Sequence, residues 1–355
     1  MGMGDVITSL PEEIARECLL RVPYKCHPNL MSVCRKWEAV VKSPRFYQDR
    51  KRFGLKQQFL CLAATLPADN RKEHGKRVRR ICAYDLVDES CETLPPIPDF
   101  PDGIPHLSHL LSTPTEKLVV MGGWHPLTWQ SLTTVFVYEF SSAQWRRGVD
   151  MPTVRSLFSC SCSSSSLIYV TGGHDDDKKA LRSAEVYDVE HDRWDVLPDM
   201  KEERDECASV FIDEKLFVMS GYTTETQGRF EGSAQVFDPN TRIWNRVEDM
   251  WTLPQRSLRL CVFAFGRLYS FTTRHVMQYD VVKNQWVVVC ALPESLCAVT
   301  CVTACYNGIL VAGSTAGGDE KSICFMYNPV NEEWKTLETP TNLQGFIQSA
   351  AAVEI

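Results

Sequence analysis

One spacing recurs along most of this chain: an aromatic residue is followed, seven positions later, by a tryptophan. The spacing occurs in five pairs, namely Tyr138 and Trp145, Tyr187 and Trp194, Phe237 and Trp244, Tyr279 and Trp286, and Tyr327 and Trp334. A sixth pair, Tyr84 and Cys91, keeps the spacing but lacks the tryptophan. Successive tryptophans of the five pairs are 49, 50, 42 and 48 residues apart. The chain is therefore built largely from six copies of one structural unit.

Each copy is predicted to form four short β-strands. In the third copy, polar segments separate the stretches SLFSCSC, LIYVTGG, SAEVYDV and RWDVLP, a pattern that is typical of strands joined by short connections. The aromatic residue ends the third strand and the tryptophan begins the fourth, so the two rings lie on one face of the sheet. There they can pack against the next copy, with each ring burying about 150–250 Å².

Repeats of this length, with four strands, a glycine pair after the second strand and the Tyr and Trp landmarks, resemble kelch repeats. The glycine pairs are Gly122-Gly123 and Gly172-Gly173, where the backbone can adopt positive φ close to a neighbouring sheet. Kelch repeats form β-propellers. The resemblance covers residues 58–355 and implies a mainly β fold, a six-bladed kelch β-propeller over residues 55–355.

The two ends of the repeat region indicate how the ring closes. Residues 58–66 read as a second strand without a first, and one strand-like segment, GFIQSAAAVEI, remains after Trp334. We expect this C-terminal segment to supply the missing innermost strand of the first blade, because a closed ring has no unpaired end. Small residues recur on the predicted innermost strands, where we expect them to serve packing: Cys160, Cys207, Cys261, Cys301 and Ala350.

Residues 1–54 differ from the repeats, because apolar residues recur there at helical spacing. Ser9 and Glu12 fit a capping box at the start of a first helix, a second apolar stripe covers residues 30–41, and a Ser-Pro pair at 43–44 precedes a short third helix. Three helices in so short a segment bury too little surface to be stable alone. The segment is predicted to be a separate unit that a second protein, or the propeller, must cover.

The motifs LPEEI, LLRV, VCRKW and SPRF follow one another over residues 9–46, and this order resembles the F-box motif. F-box segments dock on Skp1, which connects them to the cullin and RING subunits of a ubiquitin ligase. The resemblance implies eight docking or supporting residues: Leu10, Pro11, Ile14, Leu19, Leu20, Val33, Cys34 and Trp37. Alternatively, Val33 and Trp37 only pack the helices against one another, since aromatic anchors occur in cores as well as at the centres of interfaces.

An F-box followed by kelch repeats is an architecture found chiefly in plants. Residues 172–208 resemble one plant subgroup, whose members send phenylalanine ammonia-lyase and other phenylpropanoid enzymes, or type-B cytokinin response regulators, for proteasomal degradation. The resemblance implies that the chain is the substrate-recognition subunit of an SCF (Skp1–cullin–F-box) E3 ubiquitin ligase that acts on one of these proteins.

The substrate is expected to contact the long loops between the second and third strands of the blades, because long loops on a rigid scaffold commonly carry recognition. The aromatic loop residues favour contact with a protein. By resemblance to kelch adaptors, the arginines near the innermost strands grip acidic side chains in bidentate fashion. Alternatively, they pair with Asp175, Asp176 or Glu203 and only tie the loops together. The predicted substrate-binding residues are Trp124, His125, Trp129, Arg155, His174, Arg204, Tyr222, Arg256 and Arg259.

The sequence predicts neither a catalytic site nor a metal or cofactor. Four histidines fall in different copies, and there is no P-loop and no G-x-S-x-G motif, so neither a metal site nor a nucleophile is specified. The histidines concerned are His125, His174, His191 and His275. Two alternatives from other functional classes stay open at this point: a kelch scaffold outside any ligase, and a metal-dependent propeller enzyme.

Composition bounds the partners and the location. The formal net charge of −7 argues against a general nucleic-acid surface. No apolar run approaches the roughly 18 residues of a membrane-spanning helix, so we expect no membrane contact. Fifteen cysteines without a recognisable export signal predict a reducing compartment, which is the cytoplasm, the nucleus or both.

Overall fold

Within the residues that a computed structural model of the chain describes, 7, 10–66, 78–250, 260–315, 322–338 and 345–355, 24 β-strands form six four-stranded antiparallel sheets. Blades one to three contain β1 (Gln58–Leu66), β2 (Val78–Asp85) and β3 (Cys91–Thr93), then β4 (His109–Ser112), β5 (Lys117–Met121), β6 (Val135–Glu139) and β7 (Gln144–Arg147), then β8 (Ser159–Cys162), β9 (Leu167–Thr171), β10 (Ala184–Asp188) and β11 (Arg193–Val196).

Blades four to six have the same construction. They contain β12 (Ala208–Ile212), β13 (Lys215–Met219), β14 (Ala234–Asp238) and β15 (Ile243–Val247), then β16 (Cys261–Ala264), β17 (Arg267–Phe271), β18 (His275–Asp280) and β19 (Gln285–Ala291), then β20 (Ala298–Cys305), β21 (Gly308–Ser314), β22 (Ser322–Asn328) and β23 (Glu333–Leu337). One further strand, β24 (Ile347–Glu354), remains for blade one.

Strand β24 completes the ring. It lies beside β1 in the first sheet, antiparallel, with Val353 opposite Phe59 and Ala350 opposite Leu62. The innermost strands of neighbouring blades contact one another around a full circle, in the order β24, β4, β8, β12, β16 and β20. The predicted six-bladed propeller is therefore confirmed, and a strand from the C-terminal part of the chain completes the blade that β1 begins.

The recurring aromatic pairs of blades two to five join each of these blades to the preceding one. In all five pairs the tryptophan lies directly opposite its aromatic partner on the neighbouring strand, and the ring centroids are 4.7–5.4 Å apart. Four of the indoles also donate their N–H, at 2.7–2.8 Å, to main-chain oxygens of the connection that enters their blade: Pro95, Val149, Pro198 and Met250. The seven-residue spacing thus fastens the outer strand of a blade to the chain arriving from its neighbour.

In its described part, residues 10–54, the N-terminal segment contains four α-helices where the sequence predicts three: α1 (Glu12–Leu20), α2 (His27–Val33), α3 (Arg35–Val41) and α4 (Pro44–Arg52), with a 3-10 turn at Tyr24–Cys26. The predicted second helix is divided at Cys34, whose backbone is extended at φ −164° and ψ 161°. No Pro or Gly marks this break, so apolar periodicity does not reveal it. The predicted cap Ser9 lies outside the described residues.

Two turns of the ring and strand β1 support the helical segment, and both turns lie at one end of the propeller. Tyr24 donates its O–H to the main-chain oxygen of Phe140 at 2.8 Å, and its ring meets those of Phe59 and Phe140 edge-on at 5.5 and 5.8 Å. Lys25 forms an ion pair with Asp88. We call this end the turn face, because it carries the tight turns between first and second and between third and fourth strands: residues 86–90, 113–116, 140–143 and 189–192.

Two buried polar side chains hold the helices together. Arg50 is 1% exposed and donates to the main-chain oxygens of Leu20, Val22 and Leu55 at 2.6, 2.8 and 2.9 Å. His27 is also 1% exposed. Burial and the nearby Arg50 charge lower the pKa of His27 to about 4, so this imidazole is neutral at pH 7.

Candidate functional site

Part of the helical segment leaves an apolar surface open to solvent. Ile14 on α1 is 46% exposed and Val33 on α2 is 60% exposed. Pro11 and Cys34 are exposed as well, and Leu10 and Trp37 are half-buried. Six of the eight predicted docking residues therefore reach the surface while the rest of the segment rests on the ring.

Leu19 and Leu20 are the exceptions among the predicted docking residues. Each is 2% exposed and belongs to the hydrophobic core that joins the helices to blades one and two. They follow Ile14 by five and six residues, which at about 100° per residue turns them roughly 120–140° away from it around the helix. In this structure both leucines are buried in that core, which fits a supporting position better than direct contact with a partner.

The long loops lie at the other end of the ring, which we call the loop face: residues 122–134, 172–183 and 220–233. In each of these three blades the loop pairs with the connection that enters the blade. The pairs are His106 with Trp124, Ser156 with His174, and Asp205 with Tyr222. Three predicted substrate-binding residues, Trp124, His174 and Tyr222, thus occupy equivalent positions in successive blades.

Two tryptophans of the blade-two loop form the walls of an open cleft. Trp129 is 61% exposed, and its ring stacks on that of His106 with centroids 4.3 Å apart and planes 17° apart. Trp124 donates its indole N–H to Ser156 Oγ at 2.8 Å. The two indoles are 6.4 Å apart at 45°. The cleft has a volume of about 600 Å³ and is lined by Trp124, Trp129, Gln130, Ser131, Asp176 and Lys178.

His125 shapes this loop from within. Its Nδ1 accepts the main-chain N–H groups of Leu127 and Thr128, both at 3.2 Å, and its ring meets Phe100 edge-on at 5.7 Å. These contacts engage both Nδ1 and the ring of the imidazole. His125 is therefore placed to hold the loop conformation beside the cleft.

His174 and Tyr222 are part of a polar chain that links blades three and four. Lys178 donates to His174 Nε2 at 3.1 Å, and His174 donates from Nδ1 to Asp205 Oδ2 at 2.9 Å. Tyr222 donates to Glu206 Oε1 at 3.0 Å. Burial and the carboxylates of Asp205 and Glu206 raise the pKa of Tyr222, so the phenol stays protonated. His174 and Tyr222 are only 5% and 6% exposed, which leaves them little surface for a ligand.

Arg155 and Arg204 do not reach the channel mouth, so the prediction that they grip acidic side chains of a substrate is wrong for both. Each is 0% exposed. Arg155 donates to the main-chain oxygens of Gly172 and Ser183 at 2.9 and 3.2 Å and lies 3.2 Å from a Glu185 carboxylate oxygen. Gly172 and Ser183 are the two ends of the blade-three loop, so the guanidinium closes that loop at its base.

Arg204 repeats this arrangement in blade four, where it donates to the main-chain oxygens of Ser220 and Ser233. The alternative interpretation, that the arginines tie the loops together, describes both side chains better. Their bonds to the loops go to main-chain oxygens, however, and not to the carboxylates of Asp175, Asp176 or Glu203. Arg256 and Arg259 lie outside the described residues.

Small side chains line the channel along the axis, as the sequence predicts. The channel encloses about 400 Å³, and its lining includes Cys160, Cys207, Cys261, Cys301 and Ala350. Burial raises the pKa of the Cys261 thiol to about 12, so this side chain is a neutral packing group. Across the described ranges, no group of three or more His, Cys, Asp or Glu side chains converges as a metal site would require.

Sequence reasoning did not identify His106, Gln130 or Lys178, although all three contribute to the cleft. His106 lies in a connection between blades without any motif, and only the bridge to Trp124 brings it under Trp129. Lys178 lies in a run of charges that is usually a solvated loop tip. A search for partners of the loop tryptophans across the preceding connection could have found His106.

Comparison with known proteins agrees with this division of the chain. The family model of the F-box domain matches residues 7–49, and that of the Kelch motif matches residues 108–152, 155–201 and 203–250. The F-box/kelch-repeat protein At1g15670 of Arabidopsis thaliana is 36% identical over 361 residues, which cover 99% of this chain and all of the relative.

Two further Arabidopsis thaliana relatives also extend over nearly the whole chain. The F-box/kelch-repeat protein At1g80440 is 36% identical over 99% of this chain and 100% of its own length. The F-box/kelch-repeat protein SKIP20 is 32% identical over 99% of this chain and 97% of its own length.

Among the described residues, no helix is both long and apolar enough to span a membrane.

Proposed function

Since the chain belongs to the F-box/kelch-repeat family, we propose that it is the substrate-recognition subunit of an SCF ubiquitin ligase. The observation that carries the proposal is the exposure of Ile14 and Val33 on helices whose other side packs against the ring. These helices would bind Skp1, and through it the cullin and RING subunits. The loop face, at the far end of the ring, would bind the protein to be ubiquitinated.

In this role the chain catalyses no reaction itself. Binding a substrate and a ligase module on one rigid body converts their encounter into an intramolecular event, at an effective concentration on the order of millimolar for close tethering. The turn face and the loop face are opposite ends of the same propeller, so a substrate at one end leaves the helices at the other end accessible.

As the substrate we propose phenylalanine ammonia-lyase, which would place the chain in the control of phenylpropanoid synthesis. Support comes from residues 172–208, which resemble the plant subgroup that degrades this enzyme. Type-B response regulators of cytokinin signalling are the alternative substrate. The proposed location is the cytoplasm, the nucleus or both, because all 15 cysteines are free thiols, which suits a reducing compartment.

Capture of recombinant Skp1 tests the adaptor function. The double variant Ile14→Asp and Val33→Asp changes two exposed side chains, so the fold should be retained. Each buried aliphatic side chain contributes about 1.5–3 kcal/mol to association, and we expect the double variant to bind Skp1 at least about a hundredfold more weakly. The matched control is Val282→Asp on blade five, where the side chain is 96% exposed, and this variant should bind like the wild type.

If the wild-type protein fails to capture Skp1, or if the double variant captures it equally well, the adaptor function is wrong and a kelch scaffold outside any ligase takes precedence.

A pull-down from plant extract with the proteasome blocked identifies the substrate. Enrichment of phenylalanine ammonia-lyase supports the proposal that this enzyme is the substrate. The double variant should enrich it as well, because only its helical segment is changed. Enrichment of response regulators instead supports the alternative.

A further inference from the structure

The cleft between Trp124 and Trp129 is a preformed binding site on the loop face. We propose that it binds a proline ring of an extended, polyproline II segment in the protein substrate. This inference rests on the proposed function for the existence of a substrate, but the chemistry of the site is argued from the cleft alone.

Trp129 is held in position although its side chain is exposed. Its indole stacks on His106, and Arg79 donates from a guanidinium nitrogen to His106 Nε2 at 3.1 Å behind it. The backbone of Trp129 has φ +59°, a left-handed conformation that is unfavourable for a bulky residue. Strain of this kind persists where the surroundings enforce it, and it concentrates at ligand sites. The exposed face of Trp129 is therefore presented by a rigid support.

The charges of the cleft favour a neutral ligand. Its lining contains one cation, Lys178, and one anion, Asp176, which compensate each other. The Lys178 ammonium already lies 5.7 Å from the centre of the Trp124 ring, so a second cation at that face would meet repulsion. A carboxylate would meet the negative faces of the indoles.

The shape of the cleft favours a compact ring. An aromatic ring sandwiched between two indoles needs parallel faces about 7 Å apart, because carbon atoms in contact are about 3.5 Å apart. The centroids of Trp124 and Trp129 are 6.4 Å apart and their planes diverge by 45°. No ring can therefore stack on both indoles at once. A pyrrolidine ring needs only one indole face, here the exposed face of Trp129, with the tilted Trp124 ring beside it.

Two side chains of the cleft, Lys178 and Gln130, can donate hydrogen bonds to a polyproline II backbone. Lys178 uses one ammonium hydrogen on His174, which leaves two for acceptors in the cleft. Gln130 Oε1 accepts from Thr128 at 3.3 Å, and this directs the amide nitrogen of Gln130 to other acceptors. A polyproline II segment has solvated carbonyl oxygens and no internal hydrogen bonds, and aromatic grooves with donors are the known way to recognise it.

Isothermal titration of the full-length protein with decaproline tests the inference. We expect saturable binding of decaproline and none of a Gly-Ser decapeptide. Trp129→Ala should weaken binding by about tenfold or more, and Lys178→Met by about threefold to tenfold. The matched control Leu127→Ala removes another exposed side chain of the same loop, 62% exposed and outside the cleft lining, and should bind within about twofold of the wild type. Thermal midpoints equal to that of the wild type show that the variants are folded.

Absence of decaproline binding to the wild type at millimolar concentration overturns the inference. So does unchanged binding by folded Trp129→Ala, or tighter binding of a Gly-Ser decapeptide with one central phenylalanine. The Skp1 capture experiment distinguishes a failure of the cleft proposal from a failure of the proposed ligase function. Normal Skp1 capture without decaproline binding rejects the cleft alone, whereas decaproline binding without Skp1 capture rejects the ligase and keeps the cleft.

Discussion

Tyr24 and Phe140 are joined by a hydrogen bond from the phenolic O–H to the main-chain oxygen, 2.8 Å long, across a separation of 116 residues. It crosses from the helical segment to blade two of the ring. Residues 53–57 are the only direct covalent connection between α4 and β1. The bond therefore helps to set the direction in which the exposed residues Ile14 and Val33 point relative to the loop face.

The first prediction concerns this bond. Tyr24→Phe removes the donor and leaves the main-chain oxygen of Phe140, a residue only 3% exposed, without this hydrogen bond. The free energy of unfolding should therefore fall by about 0.5–1.5 kcal/mol in urea titration. Tyr306→Phe is the control, because Tyr306 is 76% exposed, and it should change the value by less than about 0.5 kcal/mol. Equal effects of the two substitutions would contradict the assignment.

The second prediction is an acid sensitivity of the helical segment that originates at His27. Its pKa in the folded protein is about 4, below the value of about 6.5 in an unfolded chain. As pH falls from about 6.5 to 4, only the unfolded state takes up this proton. The free energy of unfolding should fall by about 1.4 kcal/mol per pH unit in this window, roughly 3 kcal/mol in total, and His27 should contribute no pH dependence above it.

The measurement is the difference between wild type and His27→Gln, which does not titrate, in denaturant titrations at pH 7, 6, 5 and 4. Other acids and bases contribute equally to both proteins and cancel in the difference. The free energy of unfolding of the wild type minus that of His27→Gln should be constant near neutral pH. It should decrease towards pH 4, because only the wild type loses the contribution of a neutral His27. A difference that stays constant over the whole range rules out the buried neutral imidazole.

The third prediction concerns the buried ion pair of Arg155 and Glu185. Arg155→Met leaves the Glu185 carboxylate, 2% exposed, without its cation, which should cost about 3–5 kcal/mol of stability. Arg182→Met in the same loop breaks only an exposed ion pair with Asp199 and should cost less than about 1 kcal/mol. Thermal or chemical denaturation measures the stability of both variants. Similar losses would show that Arg155 does not hold the ends of the blade-three loop together.

The fourth prediction uses two glycines with positive φ. Gly173 has φ +82°, and a Cβ there would lie 2.4 Å from the main-chain oxygen of Ser156, whereas Gly228 has φ +78° and nothing within 4 Å of such a Cβ. Gly228→Ala should therefore cost only the backbone strain, about 1–2 kcal/mol. Gly173→Ala must also displace the connection that pairs with His174, so its loss of stability should be clearly larger. Proteolysis of the blade-three loop should increase only for Gly173→Ala.

The repeat spacing was the informative part of the sequence. It predicted the five cross-strand aromatic pairs, because a third strand, a tight turn and a fourth strand allow only one register between Tyr187 and Trp194. The incomplete first copy predicted the place of β24 for a similar reason: residues 58–66 needed an inner neighbour.

What periodicity could not predict depends on the direction of single side chains. Arg155 and Arg204 were found by their position before the innermost strands, but whether a side chain turns to the channel or back into its own blade depends on a few dihedral angles. The break at Cys34 depends on one extended residue. The support of Trp129 by His106 depends on a contact between loops that no local pattern encodes.

The pairing of β1 with β24 couples folding of blade one to the progress of translation. Phe59 meets Val353, so a nascent chain carries the helical segment long before the inner neighbour of β1 has been synthesised. A product of a premature stop codon ahead of residue 347 would display its Skp1-docking helices beside an unpaired apolar strand. Chaperones and quality-control proteases recognise such strands, and truncated adaptors would be removed before they occupy ligase subunits unproductively.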